Sequence, residues 1–139
     1  MHIEKIAPQQ TLAKRQKTLG LGKTVEQMQL PNDEYADHFG LFLDQHLVSV
    51  VSVIYVQHVS QFRKFSTDPK FQNMGYGSRL LDFIIKYCTQ KNQIELWCNA
   101  RITAQEFYKR KGLRAVGLPF KKGNIEYIKM SLNLIEQSF

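Results

Sequence analysis

Cysteine, long apolar runs and clusters of metal ligands are all scarce in this sequence of 139 residues. Its two cysteines, Cys88 and Cys98, match no zinc-site spacing, so we expect reduced and buried thiols rather than a disulfide. No apolar run approaches the ~20 residues that a membrane-spanning helix needs. The N-terminus, MHIEKIAPQQ, lacks the apolar core of a secretory leader. We therefore expect a cytoplasmic protein with no membrane partner and no metal site.

The composition indicates a globular chain, because 43% of the residues are hydrophobic and 12% are aromatic. The length suits one domain over residues 1–139. The net charge of +7 is spread over short basic clusters (LAKRQKTLGLGK, YKRKGLR and PFKKGN) rather than one tract. An RNA-binding sheet would place exposed aromatics between basic residues on one face, and the sequence alone does not reveal that pattern. The expectation is no nucleic-acid partner.

Hydrophobic periodicity predicts a mixed α/β protein. A helix is predicted at 11–19, then a loop at 31–37, strands at 38–44, 47–57 and 61–68, a helix from about 76 to 88, a strand at 93–99, a helix at 102–112, and strands at 113–117 and 125–134. Gly112 should end the last helix. Phe62 and Phe65 break the strict alternation of their strand. The order predicts a largely antiparallel sheet with one parallel βαβ crossover.

The segment QNMGYGS (72–78) places two glycines just before an apolar helix. The first N–H groups of a helix have no internal partner, and glycine lets a bulky anion approach the backbone. A phosphate-binding loop would explain Gly75 and Gly77, although a tight turn with close helix packing explains them equally well. The dinucleotide fingerprint fails because Leu80 occupies its last position, and no P-loop Gly-Lys-Ser/Thr follows.

The wider stretch STDPKFQNMGYGSRLLDFIIKY resembles the acetyl-CoA motif of the GCN5-related N-acetyltransferase (GNAT) family. Gln72, Gly75 and Gly77 match its Arg/Gln-x-x-Gly-x-Gly/Ala pattern, and Pro69 matches the step at the end of the preceding strand. The segment LWCNARITAQEFYKRKGLRAVG is similar to the family's second motif, with Asn99, Ala104, Phe107-Tyr108 and Gly112. The resemblance covers about residues 12–134 and is nearest to small bacterial members. Leu113 departs from the usual Phe, and Gln72-Asn73 from the usual Arg-Gly.

This resemblance implies the GNAT fold, a mixed and mostly antiparallel sheet of six to seven strands. About four helices should flank the sheet, with a central parallel βαβ unit that binds acetyl-CoA. The implied activity is transfer of an acetyl group from acetyl-CoA to a primary amine by direct attack. A non-catalytic acyl-CoA-binding or regulatory module on the same scaffold is the alternative.

Site residues follow from the same resemblance. The pyrophosphate would bind the backbone of Gln72, Asn73, Met74, Gly75, Tyr76, Gly77 and Ser78. The pantetheine arm would pair with the backbone of Phe65, Ser66 and Thr67. Asn99 would either bind the arm or cap the helix near Ile102. Tyr108 would lie against the cofactor and protonate the leaving thiolate.

The acceptor side is less defined by sequence. We expect the amine to enter beside residues 20–38 and 124–127, and Glu126 is the candidate general base, with Glu34, His38 and Asp68 as alternatives. The acidic residues Asp33, Glu34 and Asp37 weakly favour a cationic acceptor. A small amine, an antibiotic, a polyamine and a protein N-terminus all remain open, as does a homodimer.

Overall fold

The structure is a computed structural model that describes residues 1–10 and 36–135. Its strands are β1 (His2–Ile6), β2 (Asp37–Leu43), β3 (His46–Val56), β4 (Val59–Thr67), β5 (Glu95–Arg101), β6 (Arg114–Lys122) and β7 (Ile125–Asn133). Its helices are α1 (Tyr76–Gln90) and α2 (Gln105–Arg110), with 3-10 turns at Pro69–Phe71 and Ile102–Ala104. The predicted helix at 11–19, most of the loop at 31–37, and the acidic residues Asp33 and Glu34 lie outside the described residues.

The strands form one seven-stranded sheet in the order β1-β2-β3-β4-β5-β7-β6. Pairings are antiparallel except between β4 and β5, which are joined by α1 in the predicted parallel crossover. The parallel ladder joins only three residue pairs, Val59↔Glu95, Ser60↔Leu96 and Gln61↔Trp97. Both strands continue past it, β4 to Thr67 and β5 to Arg101. The predicted mixed sheet with one βαβ unit is confirmed.

One compact unit comprises Met1–Ile54 and Phe62–Ile84. In it, β2 pairs with β1 on one side and with β3 on the other. Five consecutive residues of β2, from His38 to Phe42, are buried. Strand β2 is therefore buried on both faces, although its sequence alternates apolar with small or polar residues. A Cβ at Gly40 would lie 2.6 Å from Leu47 Cδ1, so a side chain at this position would displace Leu47.

Strand β4 is bent by a residue in the left-handed region. Lys64 has a φ of 52° within the strand and is exposed. Before it, Ser60 and Phe62 are buried, and after it the next buried residue is Ser66. A left-handed residue inside a strand is a local irregularity of the kind found in β-bulges.

The second compact unit comprises Tyr55–Gln61 and Ile85–Phe139. Here β7 pairs antiparallel with β5 and with β6. The inner face of this sheet is apolar and buried, with Leu96, Cys98, Ala100, Ile128, Met130 and Leu132. Between Val116 and Phe120, the register shifts so that three residues of β6 lie opposite the single residue Ile128. Gly117 adopts a φ of 77° in this bulge.

Several boundaries differ from the predictions. β1 was missed because HIEKI is short and half charged. β6 extends to Lys122 rather than Gly117 because it pairs beyond the bulge, and β5 runs two residues further than predicted, to Arg101. Cys88 and Cys98, both within the described residues, form no disulfide and are buried. In the described residues, none of the helices has the length and apolar character needed to cross a bilayer.

Candidate functional site

The glycine loop joins the end of β4 to the start of α1. Its residues from Gln72 to Gly75 are exposed, and Met74 is 61% exposed. Asn73 (φ 63°) and Gly75 (φ 87°) are both in the left-handed region and flank Met74. Alternation between left- and right-handed residues turns successive N–H groups toward one side, which is the geometry of an anion-binding nest.

Helix α1 begins without a protein cap on its first N–H groups. The first helical hydrogen bond runs from the Arg79 N–H to the Gly75 carbonyl, at 3.1 Å. Within the described residues, the N–H groups of Tyr76, Gly77 and Ser78 have no protein acceptor. The first turn also contains no acidic side chain. An anion placed here would therefore satisfy several donors and the helix dipole together.

The two glycines have different structural reasons. A Cβ at Gly75 would meet nothing within 4 Å, so this residue is required by its φ of 87° and the space beside it is open. A Cβ at Gly77 would lie 3.3 Å from Thr67 Oγ1 and 3.4 Å from Phe65 Cζ. Gly77 thus permits the first turn of α1 to approach β4 closely. The close-packing explanation therefore applies to Gly77, and Gly75 is explained by its backbone conformation.

A hydrogen-bond network fixes the end of β4. Ser49 Oγ donates to the Ser66 carbonyl at 3.0 Å and lies 2.9 Å from Thr67 Oγ1. Gln72 Nε2 donates to the Thr67 carbonyl at 3.0 Å, which ties the loop to the strand. The buried Ser66 hydroxyl has no partner among the described residues. The structure therefore brings the predicted residues 65–67 and 72–78 together within the first unit. Ser49 was missed because it lies in a continuous apolar run.

Tyr108 lies on α2, in the second unit. The helix ends in a Schellman motif, in which the Leu113 N–H donates to the Tyr108 carbonyl at 3.1 Å and the Gly112 N–H donates to the Lys109 carbonyl at 3.0 Å. Gly112 has a φ of 96°, which confirms it as the predicted helix end. The Phe107 ring packs edge-on against Tyr108 with centroids 5.1 Å apart. The C-terminus of α2, next to Tyr108, is therefore fixed by two backbone hydrogen bonds.

The pKa values of the Tyr108 phenol and the Cys98 thiol are both raised. Burial raises the pKa of Tyr108 above its ordinary value of 10, and the neighbouring Cys98 raises it further. Burial also raises the pKa of Cys98, to about 12. Both groups therefore carry their protons at neutral pH. This state suits a phenol that donates a proton and makes Cys98 a poor nucleophile.

Asn99 was predicted to lie at the end of its strand, but it lies inside β5. It pairs with Lys129 of β7 and is exposed on the face opposite Cys98. The helix-cap alternative for Asn99 is wrong, because Arg101 occupies the cap position of the following turn and no side chain caps it. The sequence placed the strand at 93–99 because the charged Arg101 does not suggest a strand interior.

Glu126 is exposed near the start of β7 and lies opposite Lys121. It shares the face of Met130, whose partner on β5 is Cys98. Four residues separate Glu126 from Met130, which corresponds to roughly 14 Å along a strand. Glu126 therefore makes no direct contact with Cys98.

The other candidate bases have structural roles. His38 is buried, and its Nδ1 lies 2.7 Å from Ser52 Oγ. Asp68 is buried and accepts a hydrogen bond from the Lys70 N–H, which caps the turn at Pro69–Phe71. Asp37, counted toward a cationic acceptor, has its carboxylate 3.5 Å from Lys5 Nζ. In the described parts of the chain, no three His, Cys, Asp or Glu side chains group as metal ligands.

Comparisons with known proteins agree with this geometry. A family model described as "Acetyltransferase (GNAT) domain" matches residues 8–134. A crystal structure described as "putative N-acetyltransferase from Lactobacillus plantarum" has a TM-score of 0.83 at 19% identity, covering 96% of this chain and 99% of that one. The ribosomal-protein-S18-alanine N-acetyltransferase from Escherichia coli gives 0.78 at 18%, covering 96% and 93%. An aminoglycoside 6'-N-acetyltransferase complexed with coenzyme A gives 0.77 at 14%, covering 96% and 97%. A search of curated proteins found no match.

Proposed function

The chain belongs to the GNAT acetyltransferase family, and we propose that it transfers an acetyl group from acetyl-CoA to a primary amine. The amine would attack the thioester carbon, the C–S bond would break, and the thiolate would leave as coenzyme A after taking a proton. The family and the fold support an acetyl-CoA-dependent reaction. The roles of individual residues in this reaction are also proposed.

One observation carries the proposal. The N–H groups of Tyr76, Gly77 and Ser78 have no acceptor in the described residues, and no acidic side chain lies in the first turn of α1. A coenzyme A pyrophosphate would satisfy these donors, and the open space beside Gly75 would admit its oxygens. Gln72, Asn73 and Met74 would contribute the preceding N–H groups of the loop.

The end of β4 would bind the pantetheine arm. From Phe62 onward, β4 has no further pairs in its ladder with β5. Phe65, Ser66 and Thr67 lie in this stretch, and hydrogen bonds from Ser49 and Gln72 hold the Ser66 and Thr67 carbonyls in fixed directions. Each of these carbonyls keeps a second lone pair for an amide donor of the arm. The unpartnered Ser66 hydroxyl supports the same assignment.

Tyr108 would donate the proton to the leaving thiolate. Its raised pKa keeps the phenol protonated over the whole neutral range. Burial that raises the pKa of a phenol also raises that of a thiolate leaving beside it, so proton transfer between them need not be uphill. The phenol would then recover its proton from solvent before the next turnover. Asn99, which is exposed on the face of β5 opposite Cys98, would also bind the arm.

Glu126 would accept the amine proton through water, because an ammonium of pKa near 10 must lose a proton before it attacks. Its exposed position at the start of β7 is compatible with a water relay. The acceptor class is not fixed by these residues, since Asp37 already pairs with Lys5.

Two measurements test the proposal together. Calorimetry should detect acetyl-CoA binding, and release of free coenzyme A should be followed with a panel of amines that includes amino acids, polyamines, aminoglycosides and peptide N-termini. We expect binding and amine-dependent release of coenzyme A. Binding without turnover for any amine would favour the acyl-CoA-binding module. Absence of binding at millimolar acetyl-CoA would contradict both.

A further inference from the structure

The outer face of the sheet in the second unit combines basic and aromatic side chains. This face is opposite the buried one that contains Cys98 and Met130, because successive side chains alternate along a strand. The strand registers place the following residues on it: Trp97, Asn99 and Arg101 of β5, Tyr127, Lys129 and Ser131 of β7, and Arg114, Val116 and Phe120 of β6. We call these nine residues the outer face. All of them are exposed or half-buried.

Three cations form a diagonal across the outer face. Arg114 lies opposite Ser131, and Arg101 lies opposite Tyr127, so Lys129 is midway between them on the central strand. Diagonal neighbours on adjacent strands are separated by about 7–8 Å. The three charges therefore cross the sheet in even steps. Even spacing of cations suits a ligand whose negative charges also repeat regularly.

These cations are not neutralised by the described part of the chain. Arg101, Arg114 and Lys129 form no ion pair with a described carboxylate. The only acidic side chain projecting to this side from the three strands is Glu95, whose Oε2 accepts a hydrogen bond from Ser131 Oγ at 2.6 Å. Glu126 projects to the opposite face. The outer face is thus positive and would attract an anion.

Aromatic rings flank the diagonal on both sides. Lys129 Nζ lies 4.5 Å from the centre of the Trp97 ring, which fixes the ammonium without an acidic partner. On the other side, the rings of Phe120 and Tyr127 stack with centroids 5.8 Å apart, and Phe120 is 40% exposed. Half-exposed rings beside cations on a sheet are the arrangement that stacks unpaired bases and binds their phosphates.

We propose that the outer face binds single-stranded nucleic acid. The backbone phosphates would follow Arg114, Lys129 and Arg101, while bases would stack on Trp97 and on the Phe120–Tyr127 pair. An acidic peptide would use the cations but would leave the rings without partners, so the rings favour nucleic acid. No nucleic-acid partner was expected from the sequence, because linear spacing does not show which residues of different strands share a face. The strand registers supply the interleaving that it required.

Trp97 is the only tryptophan in the chain and therefore reports directly on this face. We would titrate the protein with a 12-nucleotide single-stranded RNA, following both quenching of Trp97 fluorescence and anisotropy of a label on the RNA. Base stacking should quench Trp97. Three phosphate contacts predict that log K falls with log salt with a slope of about −2. Heparin, a polyanion without bases, should bind with weaker quenching.

Variants locate the contact. Lys129→Gln and Arg101→Gln should each weaken RNA binding about fivefold and reduce the salt slope. Phe120→Ala should weaken binding about tenfold, as expected for the loss of one stacking ring. Lys121→Gln is the matched control, because it removes one lysine from the same hairpin but from the opposite face. It should leave RNA affinity within twofold. Thermal melting of each variant checks its folding.

Four results would overturn the proposal. The first is no RNA binding at 50 mM salt. The second is equal weakening by Lys121→Gln and Lys129→Gln, which would indicate nonspecific attraction to a basic protein. The third is equal quenching by heparin with no effect of Phe120→Ala, which would indicate a surface for an acidic partner. The fourth is weakening of RNA binding by Gly75→Val as strong as that by Lys129→Gln, which would place the RNA on the glycine loop rather than on the outer face.

Discussion

Two contacts that hold Tyr108 in place are kept in a phenylalanine. The Tyr108 carbonyl belongs to the Schellman motif, and its ring packs edge-on against Phe107. The variant Tyr108→Phe therefore keeps these two contacts and removes the hydroxyl that would donate the proton.

We predict that Tyr108→Phe lowers kcat by at least ~30-fold, because general acid catalysis typically contributes about 10²–10⁴-fold. Acetyl-CoA affinity and the free energy of unfolding should change little. The measurement is steady-state turnover with an amine identified by the panel, alongside calorimetry. An unchanged kcat, with chemistry rate-limiting, would mean that the thiolate leaves unaided or is protonated through water.

Glu126→Gln should lower kcat/KM at least tenfold, because an amide cannot accept the amine proton. Glu4→Gln, an exposed change on the N-terminal strand, is the control and should have no effect. If both variants keep the rate and pH profile of the parent protein, the base is another group or bulk water.

The loop and the first turn of α1 form one element. Within it, Gly75 is the position where a side chain should be tolerated least. A valine there would be strained by the φ of 87° and would fill the open space beside the backbone. We predict at least a tenfold loss of acetyl-CoA affinity, about 1.4 kcal/mol. Calorimetry on folded protein measures it.

Gly117→Val is the matched control for this element. Gly117 has a similar φ of 77°, and a Cβ there also meets nothing within 4 Å. It should lower stability to a similar degree while leaving acetyl-CoA affinity unchanged. Equal affinities for both valine variants would show that the loop does not bind the cofactor.

The free energy of unfolding of the protein should decrease in alkaline solution. The pKa of Cys98 is 9.0 unfolded and about 12 folded, so its contribution is complete below pH 9 and is lost as the pH rises toward 12. Tyr108 acts in the same direction, because its folded pKa is also raised. By pH 10 the loss from Cys98 alone is about 1 kcal/mol.

Urea unfolding at pH 7.5 and pH 10 measures this loss. Cys98→Ala removes the ionisable thiol and should reduce the alkaline loss by about 1 kcal/mol, although the substitution lowers stability at both pH values. An alkaline loss that is the same in the variant and the parent protein would contradict the assignment to Cys98.

The sequence predicted the order of strands and helices well where the signal is local. The apolar spacing of Leu80, Leu81 and Ile84 defines α1, and Gly112 marks the end of α2 as expected. The family motif also located the loop at 72–78. These features depend on neighbours within a few residues, which a sequence displays directly.

Other features depend on partners distant in the chain and could not be predicted. Burial of β2 on both faces depends on residues distant in the chain, such as Phe83 of α1, whose ring packs against Phe39. The polar contacts of Ser49 join residues 17 and 18 positions apart. The outer face exists only because three strands align in one register. No short-range pattern encodes these pairings.

The bulge in β6 has a consequence for how copies of the chain can meet. An edge strand with a regular row of N–H and C=O groups invites aggregation by strand addition. In β6 the row is interrupted by the three residues opposite Ile128, and Pro119 among them has no N–H to donate. The apolar side chains of Val116 and Leu118 can therefore be exposed at this edge without templating a fibril. A homodimer that extends the sheet would have to be built at β1, the opposite edge.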